Sequence, residues 1–133
     1  AGAAAAALRR SVALNGAGEA VRVLQVAVGT SGADCGGHSA SPSLDCLLAD
    51  VGAVDILKIH VGGAEFSILQ GLRGSLEARK IGLCLLRTTS TPVAEVRRFV
   101  AEGGLAYDVR PARGGRDAVI RLAPELAHLQ KKK

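Results

Sequence analysis

Two hydrophobic periods alternate along this sequence, and that alternation limits the chain to very few architectures. Segments of strand length occupy residues 54–61, where Ile56, Leu57, Ile59 and Val61 stand beside Lys58 and His60, and 81–86, which is continuously apolar, and each is followed by a stretch whose apolar residues fall at helical spacing. After the first run, Ala64, Ile68 and Leu72 lie on one helical face; after the second, Val93, Val96 and Val100 form a stripe joined by Phe99. Before the first run, Leu44, Leu47, Leu48 and Val51 recur at i, i+3, i+4 and i+7, with Ser43 as cap and Gly52 as stop. Buried strands alternating with amphipathic helices predict an α/β domain built on a mostly parallel sheet with right-handed crossovers.

The remaining segments extend the pattern. Residues 3–15 are rich in Ala, carry Leu8 and Val12 four apart, and end in Asn15-Gly16, which predicts a helix. Residues 21–28 begin with alternation and turn fully apolar, as a strand entering a sheet would; residues 29–41 read as a loop. Thr91 is placed to cap the helix that follows 81–86, with Pro92 at its first position and Gly103-Gly104 at its end. Residues 106–110 and 118–122 predict an antiparallel hairpin around Gly114-Gly115, and Pro124 could open a short tail helix.

At 133 residues the chain has room for a single domain, taken here as residues 1–130, with Lys131, Lys132 and Lys133 as a basic tail. The net charge of +5 owes three units to that tail, so the body is close to balanced. With 2% aromatic residues it lacks the stacking platforms of single-strand nucleic-acid binders, and no nucleic-acid partner is expected. No apolar stretch approaches the ~20 residues of a membrane-spanning helix. Cys35, Cys46 and Cys84 are odd in number and lie at no redox or zinc-ribbon spacing; they read as reduced thiols, which favours a cytoplasmic protein. Cys35, His38 and Cys46, with Asp34 or Asp45, are the sole metal candidates, and the second close ligand pair of a zinc site is missing, so no metal is expected.

In an open α/β sheet ligands collect beyond the carboxyl ends of the strands. The segment Lys58-Ile59-His60-Val61-Gly62-Gly63 brings an imidazole, the side chain that titrates near neutrality, to such an end. Two glycines then lead into a helix start whose N–H groups suit a carboxylate or phosphate. Glu65 begins that helix as a surface charge or as a partner of His60. No Gly-x-Ser-x-Gly turn is present to support a hydrolase.

An ordered set of motifs resembles the FkbM-type methyltransferases. They are Leu8-Arg9-Arg10-Ser11-Val12-Ala13-Leu14-Asn15-Gly16, residues 23–29, Ser43-Leu44-Asp45-Cys46-Leu47-Leu48, and Val54-Asp55-Ile56-Leu57-Lys58-Ile59-His60-Val61-Gly62-Gly63-Ala64-Glu65. The resemblance implies a Rossmann-like sheet and an S-adenosylmethionine-dependent enzyme that methylates oxygen atoms of small molecules or sugars. It implies His60 nearest the transferred methyl or the acceptor hydroxyl, supported by Lys58 and Glu65, with Val28, Gly29 and Thr30 around the adenine. Three positions depart from the family pattern: His60 replaces an Asp, Gly62 replaces a Glu, and the strand ending at Leu86 or Arg87 lacks its terminal Glu. The family's first two strands, with the Gly-rich cofactor loop, would lie before Ala1. Methyl transfer is catalysed mainly by positioning, so a site without that grip is incomplete. The alternative expectation is therefore a non-catalytic α/β module, derived from a methyltransferase, that binds a protein partner or itself.

Overall fold

The computed structural model describes residues 2–29, 35 and 41–123. The two apolar runs form β1 (Val54–Ile59) and β2 (Ile81–Arg87), which pair in parallel with Val54 beside Ile81 and Ile59 beside Leu86. The crossover between them holds α3 (Glu65–Gln70) and α4 (Arg73–Glu77) rather than the single helix read from the sequence. Gly71, a poor helix former, marks the break, and the Asp45 carboxylate stabilises the new helix start. Its two oxygens accept hydrogen bonds from the backbone N–H groups of Gly74 and Ser75, each at 2.8 Å. The Ser75 hydroxyl donates to the same carboxylate at 2.6 Å.

Asp45 sits on α2 (Leu44–Leu47), a single turn capped by Ser43, whose hydroxyl accepts from the Cys46 N–H. The sequence suggests a helix running on to Val51; instead the chain turns at Leu48, whose carbonyl accepts from the Lys80 ammonium. From β2 the chain enters α5 (Val93–Glu102). Pro92, in extended conformation, is the residue before that helix rather than its first member, and Thr91 makes no side-chain cap. Val96 and Val100 point inward, and Phe99 meets Phe66 edge-on with ring centres 5.8 Å apart.

The hairpin of β3 (Tyr107–Pro111) and β4 (Asp117–Leu122) forms as expected. β4 lies against β2, so the sheet order is β1-β2-β4-β3. Among the described residues only the β1–β2 pair is parallel, so the sheet is mixed rather than mostly parallel as expected. The physical reason is that a strand returning through a tight turn must run antiparallel to its partner, and here it also takes the second edge of β2.

One face of this mixed sheet carries Ile59, Cys84, Leu86, Val109, Ala118 and Ile120 into a core closed by Ile68, Leu69, Leu72, Leu76, Val96 and Val100. Each large aliphatic side chain buried there contributes about 1.5–3 kcal/mol. The buried Tyr107 hydroxyl donates to the Ile81 carbonyl, tying β3 to the start of β2. The other face is open: Ile56 is 65% exposed, and Leu83, Leu85 and Val119 are half-buried among the exposed Lys58, Arg110 and Arg121.

The amino-terminal segment differs sharply. The helix α1 (Gly2–Leu14) forms where its Ala content predicts, ends at Gly16 with φ of 64°, and buries no residue. Among the described residues, 21–28, expected as a strand, make no strand pairing, and of these eight only Val28 packs against the core. A strand requires a partner edge, and among the described residues this segment lies against none.

Cys35 and Cys46 form a disulfide with Cα atoms 5.2 Å apart, which corrects the reading of all three cysteines as reduced thiols. The sequence argument for a reducing compartment falls with it. Cys84 remains a buried thiol, and burial pushes its pKa up to about 12. Among the described residues no helix is long and apolar enough to cross a membrane. Thr30, Asp34, His38, the lysine tail and the suggested helix at Pro124 lie outside the described residues.

Candidate site at the carboxyl ends of the parallel strands

Because β1 and β2 run in parallel, the loops that leave them open on the same edge of the sheet. The first loop turns through Gly62 and Gly63 at φ of 76° and 126°, values that a side chain would strain. This conformation aims three successive N–H groups at one point. Glu65 occupies it: Oε1 accepts from Val61 at 2.9 Å and Gly62 at 3.0 Å, and Oε2 accepts from Gly63 at 2.9 Å.

The donors expected to cradle a carboxylate or phosphate are thus already filled by the chain's own carboxylate. Glu65 is 1% exposed. Burial pushes its pKa up, but the hydrogen bonds from Val61, its own N–H, Gly63 and Gly62 together outweigh it and hold the carboxyl below its ordinary value. Glu65 is neither a surface charge nor a free acid. It is an internal clasp.

His60 and Lys58 are both exposed. Among the described residues no hydrogen bond or ion pair joins His60, Lys58 and Glu65 to one another. Beside them runs the loop after β2. A Cβ built on Gly63 would lie 3.6 Å from the Ser90 hydroxyl, so the two loops adjoin, and Thr89 and Ser90 are exposed at the same mouth. Together these groups offer hydroxyl and imidazole contacts to a polar molecule. Thr88 is held by its N–H donating to the Arg116 carbonyl at 2.8 Å.

At the end of β2, Leu86 is buried and Arg87 stands where the resemblance implies an acid. Its Nε lies 3.2 Å from Asp117 Oδ1, its cross-strand neighbour, yet is not aligned for a hydrogen bond and is left without another acceptor.

Val28 and Gly29, expected around an adenine, have visible packing duties. Val28 lies against the core, and the Gly29 N–H donates to the Pro42 carbonyl at 2.8 Å. A Cβ on Gly29 would come within 2.2 Å of the Ser41 carbonyl oxygen, so no other residue fits this crossing. A depression of about 840 Å³ lies elsewhere, on the hairpin beside Arg110, Arg113 and Arg121.

Sequence reasoning missed the work of Glu65 and Asp45. A signal for the first was present: two glycines preceding an acid by two and three residues create a ring of N–H groups that a nearby carboxylate can close. Cys35 and Cys46, bonded to each other, are unavailable as thiolate ligands. No cluster of three or more metal-ligating side chains occurs among the described residues. The chain matches no family model, and neither a curated protein nor a solved structure matches it.

Proposed function

We propose that the chain is a methyltransferase-like domain of the FkbM type, in which the edge formed by residues 60–65 and 88–91 faces the acceptor of an S-adenosylmethionine-dependent O-methyl transfer. The observation that supports this reading best is the strand–Gly–Gly–helix passage from Lys58 to Glu65 at the carboxyl end of a parallel pair, next to the hydroxyl-bearing loop at Ser90. A parallel β–α–β unit followed by an antiparallel hairpin also agrees with the architecture that the motifs imply. In this role His60 approaches the acceptor hydroxyl, Lys58 supplies positive charge beside it, and Glu65 acts through the loop it clasps. Val28, Gly29 and Thr30 are the proposed adenine side, and a small-molecule or sugar hydroxyl is the proposed acceptor.

One observation favours a second reading, a non-catalytic binding module derived from such an enzyme. The N–H cradle is closed from within, and His60 has no acid partner among the described residues.

Thermal melts of this chain with S-adenosylmethionine and with its demethylated product separate the two. A ligand that binds the native state alone stabilises it by about 2.7 kcal/mol at one hundred times its Kd, so the midpoint should rise with either ligand if the enzyme reading holds. A cooperative transition indifferent to both ligands would refute that reading and leave the binding module.

A further inference from the structure

On the side of the helices turned away from the sheet, α3 and α5 leave a groove of about 260 Å³ between them. The edge-on pair Phe66 and Phe99, each half-buried and packed against the core, lines it together with the exposed Gln70, Glu95, Arg98 and Glu102. Arg98 stands three residues after one glutamate and four before the other, a spacing at which helical ion pairs form, yet among the described residues it pairs with neither. Two unengaged carboxylates against one guanidinium leave the groove negative, beside aromatic surface that is only partly covered.

The chain leaves its last strand next to this groove. The Ala123 N–H donates to the Ala106 carbonyl at 2.9 Å, and the Leu105 N–H donates to the Val100 carbonyl at 3.0 Å. The end of β4 is thereby tied to the carboxyl end of α5, where Glu102 stands. Residues 124–133, which follow and lie outside the described residues, read Pro-Glu-Leu-Ala-His-Leu-Gln-Lys-Lys-Lys. A helix opening at Pro124, as the sequence suggests, puts Leu126 and Leu129 on one face. Ten residues rise about 15 Å as a helix, the length of α5 itself, and reach about 33 Å when extended, so the lysine run is within reach of both glutamates. Three lysines against Glu125 make the segment positive where the groove is negative.

We propose that the groove between α3 and α5 is the docking site of this chain's own residues 124–133, with Leu126 and Leu129 covering Phe66 and Phe99 and the lysine run held by Glu95 and Glu102. Lysine suits such a rim, because its stem lies along apolar surface while its ammonium stays with the carboxylates and water. The contact asks nothing of what precedes Ala1. Strands added there lengthen the sheet beyond β1, in its own plane, whereas the groove lies outside helices that already cover one face of it. It is equally independent of the methyl-transfer reading.

Nuclear magnetic resonance and hydrogen exchange of the full chain test it. The Leu126 and Leu129 methyl groups should show nuclear Overhauser contacts to the rings of Phe66 and Phe99 that persist on dilution. Amides in residues 126–132 should exchange at least about tenfold more slowly than in the isolated peptide 124–133. Glu95→Lys combined with Glu102→Lys, both at exposed positions, should return those amides to the rates of the peptide while leaving β2 protected. Adding Lys131→Glu, Lys132→Glu and Lys133→Glu to that pair should restore the protection. Leu129→Ser, which leaves the groove intact, should release the segment in the same way. Peptide-like exchange in the wild type overturns the proposal, and contacts that fade on dilution overturn it in favour of a second copy. Protection indifferent to the charge reversals, or leucine contacts to side chains other than Phe66 and Phe99, overturns it equally.

Discussion

Residues 2–29 and residues 41–123 obey the same local rules and end differently. The second region buries fifteen apolar side chains in one cluster, whereas α1 buries none and residues 21–28 contribute only the half-covered Val28. Both regions contain good helix formers and β-branched residues in sensible periods. What separates them is a partner surface: local preference proposes an element, but stability comes from the face it can cover.

Substitutions on the two sides measure that difference directly. Leu76→Ala, at a fully buried position, should cost about 2–5 kcal/mol in urea unfolding, since it leaves a cavity in a packed cluster. Reducing the Cys35–Cys46 disulfide is expected to cost less, at most about 3 kcal/mol by the entropy of closing so short a loop, as a lowered thermal midpoint on adding dithiothreitol. A loss as large as that of Leu76→Ala would instead make the region before α2 a full member of the fold.

Glu65→Gln should cost about 1–3 kcal/mol at pH 7, because the amide has a single oxygen for three donors and places an NH₂ among them. The pH dependence has a definite sign. The folded carboxyl titrates below its unfolded value near 4.5, so its contribution is complete above that value and disappears as pH falls through the folded pKa. Urea midpoints of the wild type should therefore fall on acidification more steeply than those of the Gln variant. The smallest effect belongs to the exposed helix: Leu8→Ala on α1 should change stability by no more than about 0.5 kcal/mol in the monomer. A larger cost would show that α1 is covered in solution.

The elements legible in the sequence were those whose own pattern names their burial. The run at 81–86 and the stripe of Val96 and Val100 needed no further information, and the glycine pair at 114–115 marked the hairpin. Residues 21–28 carry an equally good pattern, but a strand is a property of two segments and the pattern speaks for one. The break between α3 and α4 was hidden because Asp45, thirty positions away, supplies the acceptor that makes a second helix start tolerable. The disulfide escaped for a simpler reason: three cysteines allow three pairings, and spacing ranks none of them. At the candidate site the glycines and His60 were legible as a strand end. That Glu65 closes the loop upon itself depends on the positive φ angles of Gly62 and Gly63, which residue types permit without requiring.

The position of β4 has a consequence for how the chain is made. The strand that completes the second edge of β2 is the last of the sheet, so while the chain is being synthesised Ile81–Arg87 must wait for Leu122. At translation speeds of roughly 5–20 residues per second that interval lasts about 2–7 s, far longer than the microseconds in which hairpins and helices form. Throughout it the nascent chain presents an apolar ribbon with β1 on one side and nothing on the other. A codon change that slows the ribosome between these two strands would lengthen that interval, and the yield of folded protein would register it although no residue had changed.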